Sequence, residues 1–225
     1  MGNDFFMDHF TIFEMIGTIA FAISGALKAV KNKMDLFGVI SLGIITATAG
    51  GVMRDIIAGS FPPSAFVHPV YVLTAGITSL VVFLYAYFRY TRKAHLSFSR
   101  YAFMLSLGDA IGLGIFTTMG MHTVIELHGM DNGFLCVFSG MVTGIGGGVL
   151  RDMMLHEQPE VFRKYVYALA SIIGGIVSYV LFLYGVSNIA IYGGSVLIIC
   201  IRLLAAHYRW SLPKITTANK AEEGD

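Results

Sequence analysis

Seven apolar runs, each about the length that crosses a bilayer, follow one another almost without a break: about 10–30, 36–58, 68–88, 102–126, 133–155, 164–184 and 188–206. A spanning helix needs roughly 20 mainly apolar residues. In lipid the backbone must satisfy its own polar groups, so runs of this kind fold as helices. The connections are short and leave no room for a soluble domain. Only 13% of the residues are charged, against roughly 25% in soluble domains, and the mean hydropathy is +0.71. The expected fold is an all-α integral membrane protein of seven transmembrane helices over 1–206, with a cytoplasmic tail over 207–225.

The basic residues test this parse. Lys28, Lys31 and Lys33 follow the first run. Arg89, Arg92, Lys93 and Arg100 separate the third from the fourth, and Arg163 and Lys164 the fifth from the sixth. Arg202, Arg209, Lys214 and Lys220 close the chain, while the N-terminus and the 2–3, 4–5 and 6–7 turns carry no Lys or Arg. Basic residues thus fall on alternate sides. The positive-inside rule then places the N-terminus outside and the C-terminus in the cytoplasm. The acidic start, MGNDFFMDHF, lacks the basic leader of a signal peptide, so the first run is expected to be retained.

The chain also repeats itself. Glu14, Ile16, Gly17, Phe21 and Gly25 match Asp109, Ile111, Gly112, Phe116 and Gly120. Gly43, Thr46, Gly50, Gly51, Val52, Arg54 and Asp55 match Gly140, Thr143, Gly147, Gly148, Val149, Arg151 and Asp152. Val70, Tyr71 and Leu73 match Val166, Tyr167 and Leu169. Repeat one covers 10–88 and repeat two 102–184, and the helix over 188–206 is left over. Three spans per copy is an odd number, so the second copy enters the membrane from the opposite side. That is the inverted-repeat architecture of many transporters.

Two features of the repeat are expensive in lipid. Gly50-Gly51 and Gly146-Gly147-Gly148 sit near mid-membrane, and a glycine costs about 1 kcal/mol against alanine inside a helix. Small residues let membrane helices pack closely. Clusters at matching depth in both copies point further, to a kink. A kink frees carbonyls, which are tolerated there only where they face protein or water and which can replace the hydration shell of a cation. Thr46 and Thr143, one turn earlier, could add hydroxyl oxygens. The second feature is the Arg-Asp pair. An unpaired arginine at the bilayer centre costs at least about 2.5 kcal/mol. Matching depth pairs Glu14 with Arg54 and Asp109 with Arg151. Asp55 and Asp152, adjacent to their arginines, should point about 100° away from them.

Other chemistries find little here. No basic patch stands apart from the membrane flanks, so nucleic acid is not an expected partner. Cys136 and Cys200 lie in apolar runs and imply neither a disulfide nor a metal site. Ser24, Ser41, Ser106, Ser139 and Ser171 read as bonded within their helices. No nucleophile motif, metal spacing or phosphate loop suggests an enzyme or a cofactor.

Two three-helix units, each with Gly-Gly-Val-x-Arg-Asp in its second helix, followed by a seventh helix, resemble the prokaryotic branch of the trimeric intracellular cation (TRIC-type) channels, a domain also described as a glycine transporter. The resemblance covers about residues 10–206. It implies a homotrimer with a pore inside each protomer, lined by spans 1, 2, 4 and 5 and kinked at Gly50-Gly51 and Gly147-Gly148. The permeating ion would be K+, with Na+ as a second candidate, held transiently near Gly50, Gly51, Gly147 and Gly148. Arg54 and Arg151 would form gate or support contacts with the acids. The animal branch carries Lys-Glu-Val after its glycines where this chain has Val-Met-Arg-Asp and Val-Leu-Arg-Asp. The alternative is a secondary transporter for glycine or another small amino acid, with a helix N-terminus and an arginine facing the substrate carboxylate.

Overall fold

A computed structural model describes residues 9–91, 98–163, 166–208 and 210. The charges at Arg92, Lys93, Lys164, Arg209, Lys214 and Lys220, and the tail over 211–225, lie outside the described residues. Within them every element is helical: α1 (His9–Lys31), α2 (Leu36–Ile57), α3 (Ser64–Val67), α4 (Val70–Thr91), α5 (Phe98–His128), α6 (Gly133–Met154), α7 (Glu160–Arg163), α8 (Tyr167–Leu183) and α9 (Ser187–His207). Six of these, α1, α2, α4, α5, α6 and α9, are long and apolar enough to cross a membrane. A further apolar helix, α8, has 17 residues. The short helices α3 and α7 were not expected. Each follows the turn that closes an Arg-Asp helix, a turn that holds Pro62-Pro63 in one copy and Pro159 in the other.

Local chemistry sets the helix ends. The Asp35 side chain accepts from the Gly38 N–H at 2.8 Å and caps α2. Asn132 does the same for α6 through the Leu135 N–H at 3.0 Å. Each cap satisfies one of the amides that a first turn leaves unpaired. Gly129, at φ +77°, ends α5 in a conformation that favours glycine.

Helices α1, α2, α5 and α6 form the centre. Helix α4 packs on α1 and α2, α8 packs on α5 and α6, and α9 lies against α5 and α8. The outer face of α4 exposes Leu73, Ile77, Val81, Leu84 and Phe88. Those positions recur at helical spacing and make an apolar stripe suited to acyl chains.

Hydrophobic burial does not hold helices together in lipid, so the centre depends on close packing. The tightest place is the crossing of α2 and α6. A Cβ added to Gly50 would land on the Thr143 carbonyl oxygen, and one added to Gly147 would land on the Thr46 carbonyl oxygen. The two helices thus touch backbone to backbone, each through a glycine and a threonine of the same repeated motif. The hydroxyls of Thr46 and Thr143 turn back to Leu42 O and Ser139 O, both at 2.6 Å. They sit where a Cβ at Gly25 or Gly120 would go. Helices α2 and α6 remain uninterrupted through Gly50-Gly51 and Gly146–Gly148. The carbonyls expected to be freed at these glycines therefore stay within continuous helix, and the glycines serve close approach.

Substitution separates these roles. Gly50→Ala and Gly147→Ala each drive a methyl into a carbonyl and should destabilise the protein by about 1–3 kcal/mol. At Gly51 an added Cβ meets only the Arg54 guanidinium, at 3.8 Å. Gly51→Ala should therefore melt at or slightly above the wild-type temperature. Thermal unfolding of the detergent-solubilised proteins checks the contrast.

Candidate functional site

The duplicated motif builds two charged clusters, one at each end of the α2–α6 crossing. At the end formed by the α1 and α6 C-termini, Arg151 is buried, with 1% of its surface exposed. Its Nη1 donates to Asp109 Oδ1 at 2.7 Å and to Ser24 Oγ at 2.6 Å. Its Nε donates to Asp152 Oδ1 at 2.8 Å. The Asp152 Oδ1 also accepts from Lys28 Nζ at 2.7 Å, and Oδ2 accepts from the Glu160 N–H at 2.9 Å. Lys28 reaches on to Glu157 Oε2 at 2.9 Å. Arg202 of α9 lies over the Tyr167 ring, 4.8 Å from its centroid, and 3.4 Å from Glu160 Oε2. Helices α1, α5, α6 and α9 are thus joined through charge in the apolar bundle.

The opposite end repeats this plan with fewer charges. Arg54 Nε donates to Asp55 Oδ1 at 2.8 Å. The Asp55 Oδ2 accepts from the Ser64 N–H at 2.7 Å, as Asp152 does from Glu160. The Arg54 Nη2 also lies 2.8 Å from Asp55 Oδ1 and 3.5 Å from Ser64 Oγ, while Nη1 makes one long contact, to Thr123 Oγ1 at 3.3 Å. A cavity of about 250 Å³ opens beside it, lined among others by Glu14, Thr18, Thr48, Tyr71 and Thr123. Glu14 Oε2 accepts from the Tyr71 hydroxyl at 2.6 Å. Glu14 and Asp55 against Arg54 leave the cavity walls with an excess of negative charge.

Several expectations change here. The Asp109–Arg151 pair forms. Glu14 lines the same cavity as Arg54 but bonds to Tyr71 instead. Asp55 and Asp152 do not point away from their arginines; they are direct partners. The 100° between adjacent Cβ vectors holds, but the arginine chain is long enough to fold back across it. Each carboxylate is held by the N–H of the next short helix, which turns its second oxygen toward Nε. Ser24 bonds across to Asp109, at 3.1 Å, rather than within α1.

Sequence reasoning missed Lys28, Glu157, Tyr71, Tyr167, Thr123 and Arg202. The two tyrosines carried a signal, since they fall in a matched stretch of the repeat. Lys28 also carried one: it follows Gly17, Phe21, Ser24 and Gly25 at helical spacing, on the buried face of α1 rather than in the loop beyond it.

Comparison with known proteins agrees with this duplicated plan. A family model described as glycine transporter matches residues 11–87 and 106–183, the two stretches that pair as copies. A UPF0126 membrane protein of Deinococcus radiodurans is 35% identical over 219 residues, covering 94% of this chain and 97% of its own. The UPF0126 inner membrane protein YadS of Escherichia coli K12 is 34% identical over 203 residues, covering 89% of this chain and 93% of its own. A solved structure of a TRIC cation channel superposes with a TM-score of 0.78 at 34% identity, over 96% of this chain and 100% of that one.

Arg151 serves two carboxylates and Arg54 one, so their removal should differ. Arg151→Ala strands Asp109 in an apolar interior and should cost about 3–5 kcal/mol. Arg54→Ala, beside a cavity, should lower the melting temperature less. Acid should act through Glu157. Burial pushes its carboxyl up, but the hydrogen bond and charge of Lys28 outweigh this and hold it below the ordinary carboxylate range. A depressed carboxylate stabilises the fold above its ordinary value and loses that contribution as pH falls through the depressed one. Melting temperatures should therefore fall more steeply in the wild type than in Glu157→Gln below about pH 4, and run parallel between pH 5 and 8.

Proposed function

Because this chain belongs to the glycine transporter family, the family of the TRIC cation channels, we propose that it is a cation channel of a bacterial inner membrane, not an enzyme, and that it conducts K+ through a pathway between α1, α2, α5 and α6. The observation that carries this reading is the order of polar groups along that interface. A net-negative cavity beside Arg54 leads to the α2–α6 crossing, and the Arg151 cluster lies beyond it. Both arginines are neutralised where they stand, Arg54 by Asp55 and Arg151 by Asp109 and Asp152. A bare arginine would repel a permeating cation.

In this reading the packed crossing is the closed gate. Opening bends α2 and α6 at Gly50-Gly51 and Gly146–Gly148, separates the glycines from the facing carbonyls, and lets a K+ or Na+ ion meet backbone oxygens near Gly50, Gly51, Gly147 and Gly148. Glycine suits a hinge because it accepts backbone angles closed to other residues. The architecture proposed is seven spans over 1–206: two inverted three-helix repeats, 10–88 and 102–184, and a seventh helix over 188–206. The N-terminus lies outside and the tail over 207–225 in the cytoplasm. Three copies assemble with one pore each.

A second reading, uptake of glycine or a similar small amino acid, has one observation in its favour. Arg54 Nη1 has only a long hydroxyl contact, to Thr123, and shares its cavity with Glu14, so the two side chains could meet the carboxylate and ammonium of a zwitterion. Purified protein in planar bilayers and proteoliposomes separates the two. Unitary currents in potassium chloride, with reversal potentials that follow K+, are expected. Saturable uptake of labelled glycine without unitary currents would replace the channel with the transporter.

A further inference from the structure

Lys28 breaks the symmetry of the two halves. The position that matches it in the second copy is Thr123, so the ammonium belongs to one end only. It is 5% exposed and reaches out of α1 to two carboxylates that α1 does not carry. Asp152 lies four residues beyond Gly148, and Glu157 lies in the turn that follows α6. A bend of α6 at its glycines would carry both acids away from α1. Lys28 holds them together, with Asn32 Nδ2 3.4 Å from the second Glu157 oxygen. Arg151 and the Glu160 N–H bind Asp152 as well, but both belong to α6 or to the segment after it. Both move with Asp152; Arg151 Nη1 also bonds Ser24 of α1 and Asp109 of α5, so Lys28 is the second polar link from α1 to this end of α6 and the one nearer the surface.

We propose that Lys28 is an autoinhibitory tether: its ammonium fastens α1 to the C-terminal end of α6 and covers the Asp152–Glu157 carboxylates, so that α6 bends and cations pass only when the tether lets go. This rests on the channel reading for its effect on current, but not for the contact itself. A primary ammonium is singly charged and similar in size to K+, so a cation arriving at this end competes for the same two acids. Glu157 is the accessible partner, with 39% of its side chain exposed, so concentrated monovalent salt acts there first. Asp152 is nearly fully buried. The groups that face Glu157 are Lys28 and Asn32 from α1, Asp152 from α6 and Tyr101 from α5.

The test compares wild type with Lys28→Arg, Lys28→Ala and Glu157→Gln in planar bilayers. It repeats the Lys28→Ala measurement with n-propylammonium, whose three carbons and head reproduce the atoms that the substitution removes. Lys28→Ala should raise open probability at least tenfold and Glu157→Gln by a smaller factor, while Lys28→Arg stays near wild type. Propylammonium should restore closure in Lys28→Ala and leave wild type unchanged. The same amine should raise the melting temperature of Lys28→Ala in detergent, a readout that needs no current. Propylammonium stabilisation in a protein without unitary currents would keep the contact and overturn the channel. Wild-type gating in Lys28→Ala, with no response to the amine in current or melting, would overturn the tether.

Discussion

A guanidinium buried in an apolar bundle has to be neutralised on the spot, and the arrangement around Arg151 follows from that. The side chain presents a planar fork of donors. One edge meets Asp109 and Ser24 on two other helices, and Nε meets Asp152 on its own. The acids are then fixed from behind, Asp152 by the Glu160 amide and by Lys28. Breaking such a group by removing one partner leaves a bare charge where water cannot reach it, which is why buried pairs are strongly coupled even when their net contribution to stability is small. The cluster sets the relative position of α1, α5 and α6 and so the register of the α2–α6 crossing.

The same motif behaves differently at the other end, and the difference traces to a few residues. Glu14 replaces Asp109 in the matching position, and its longer side chain goes to Tyr71. Thr123 stands where Lys28 stands in the other copy, so no ammonium crosses between helices there. The Arg54 end therefore stays open as a cavity, while the Arg151 end is filled with ion pairs. Duplication supplied two copies of one plan, and the differences at positions 14, 28, 109 and 123 leave a polar cavity at one end and a packed cluster of ion pairs at the other.

Most of the fold was legible because bilayer thickness and helix rise leave few choices. The seven apolar runs coincide closely with α1, α2, α4, α5, α6, α8 and α9, to within a few residues at each end. The copies were legible because glycine, arginine and aspartate stand out in greasy sequence. What escaped was set by side-chain reach rather than by spacing. Helical geometry separates Arg54 from Asp55, yet a flexible four-bond chain closes the gap. Lys28 was assigned to the loop because basic residues usually end spans at the cytoplasmic face, and the turn beyond it already held Lys31 and Lys33. The short helices α3 and α7 were hidden because four residues carry no periodicity. Their role emerges only from the aspartates that cap them.

The glycines reconcile two demands that otherwise conflict. A closed pathway needs α2 and α6 to touch along their backbones, since a gap at that depth would leave carbonyls unsatisfied or admit water. In the channel proposed here, opening requires the same helices to part and bend. A larger residue at Gly50 or Gly147 would prevent the contact, because its Cβ would occupy the facing carbonyl. A residue with a side chain would also stiffen the place where the bend must occur. Gly51 meets little in the packed state, whereas a Cβ at Gly148 would crowd the Tyr167 hydroxyl at 3.3 Å. In the proposed channel Gly50 and Gly147 serve the closed form through these contacts, and Gly51, with room beside it, is placed to serve the bend.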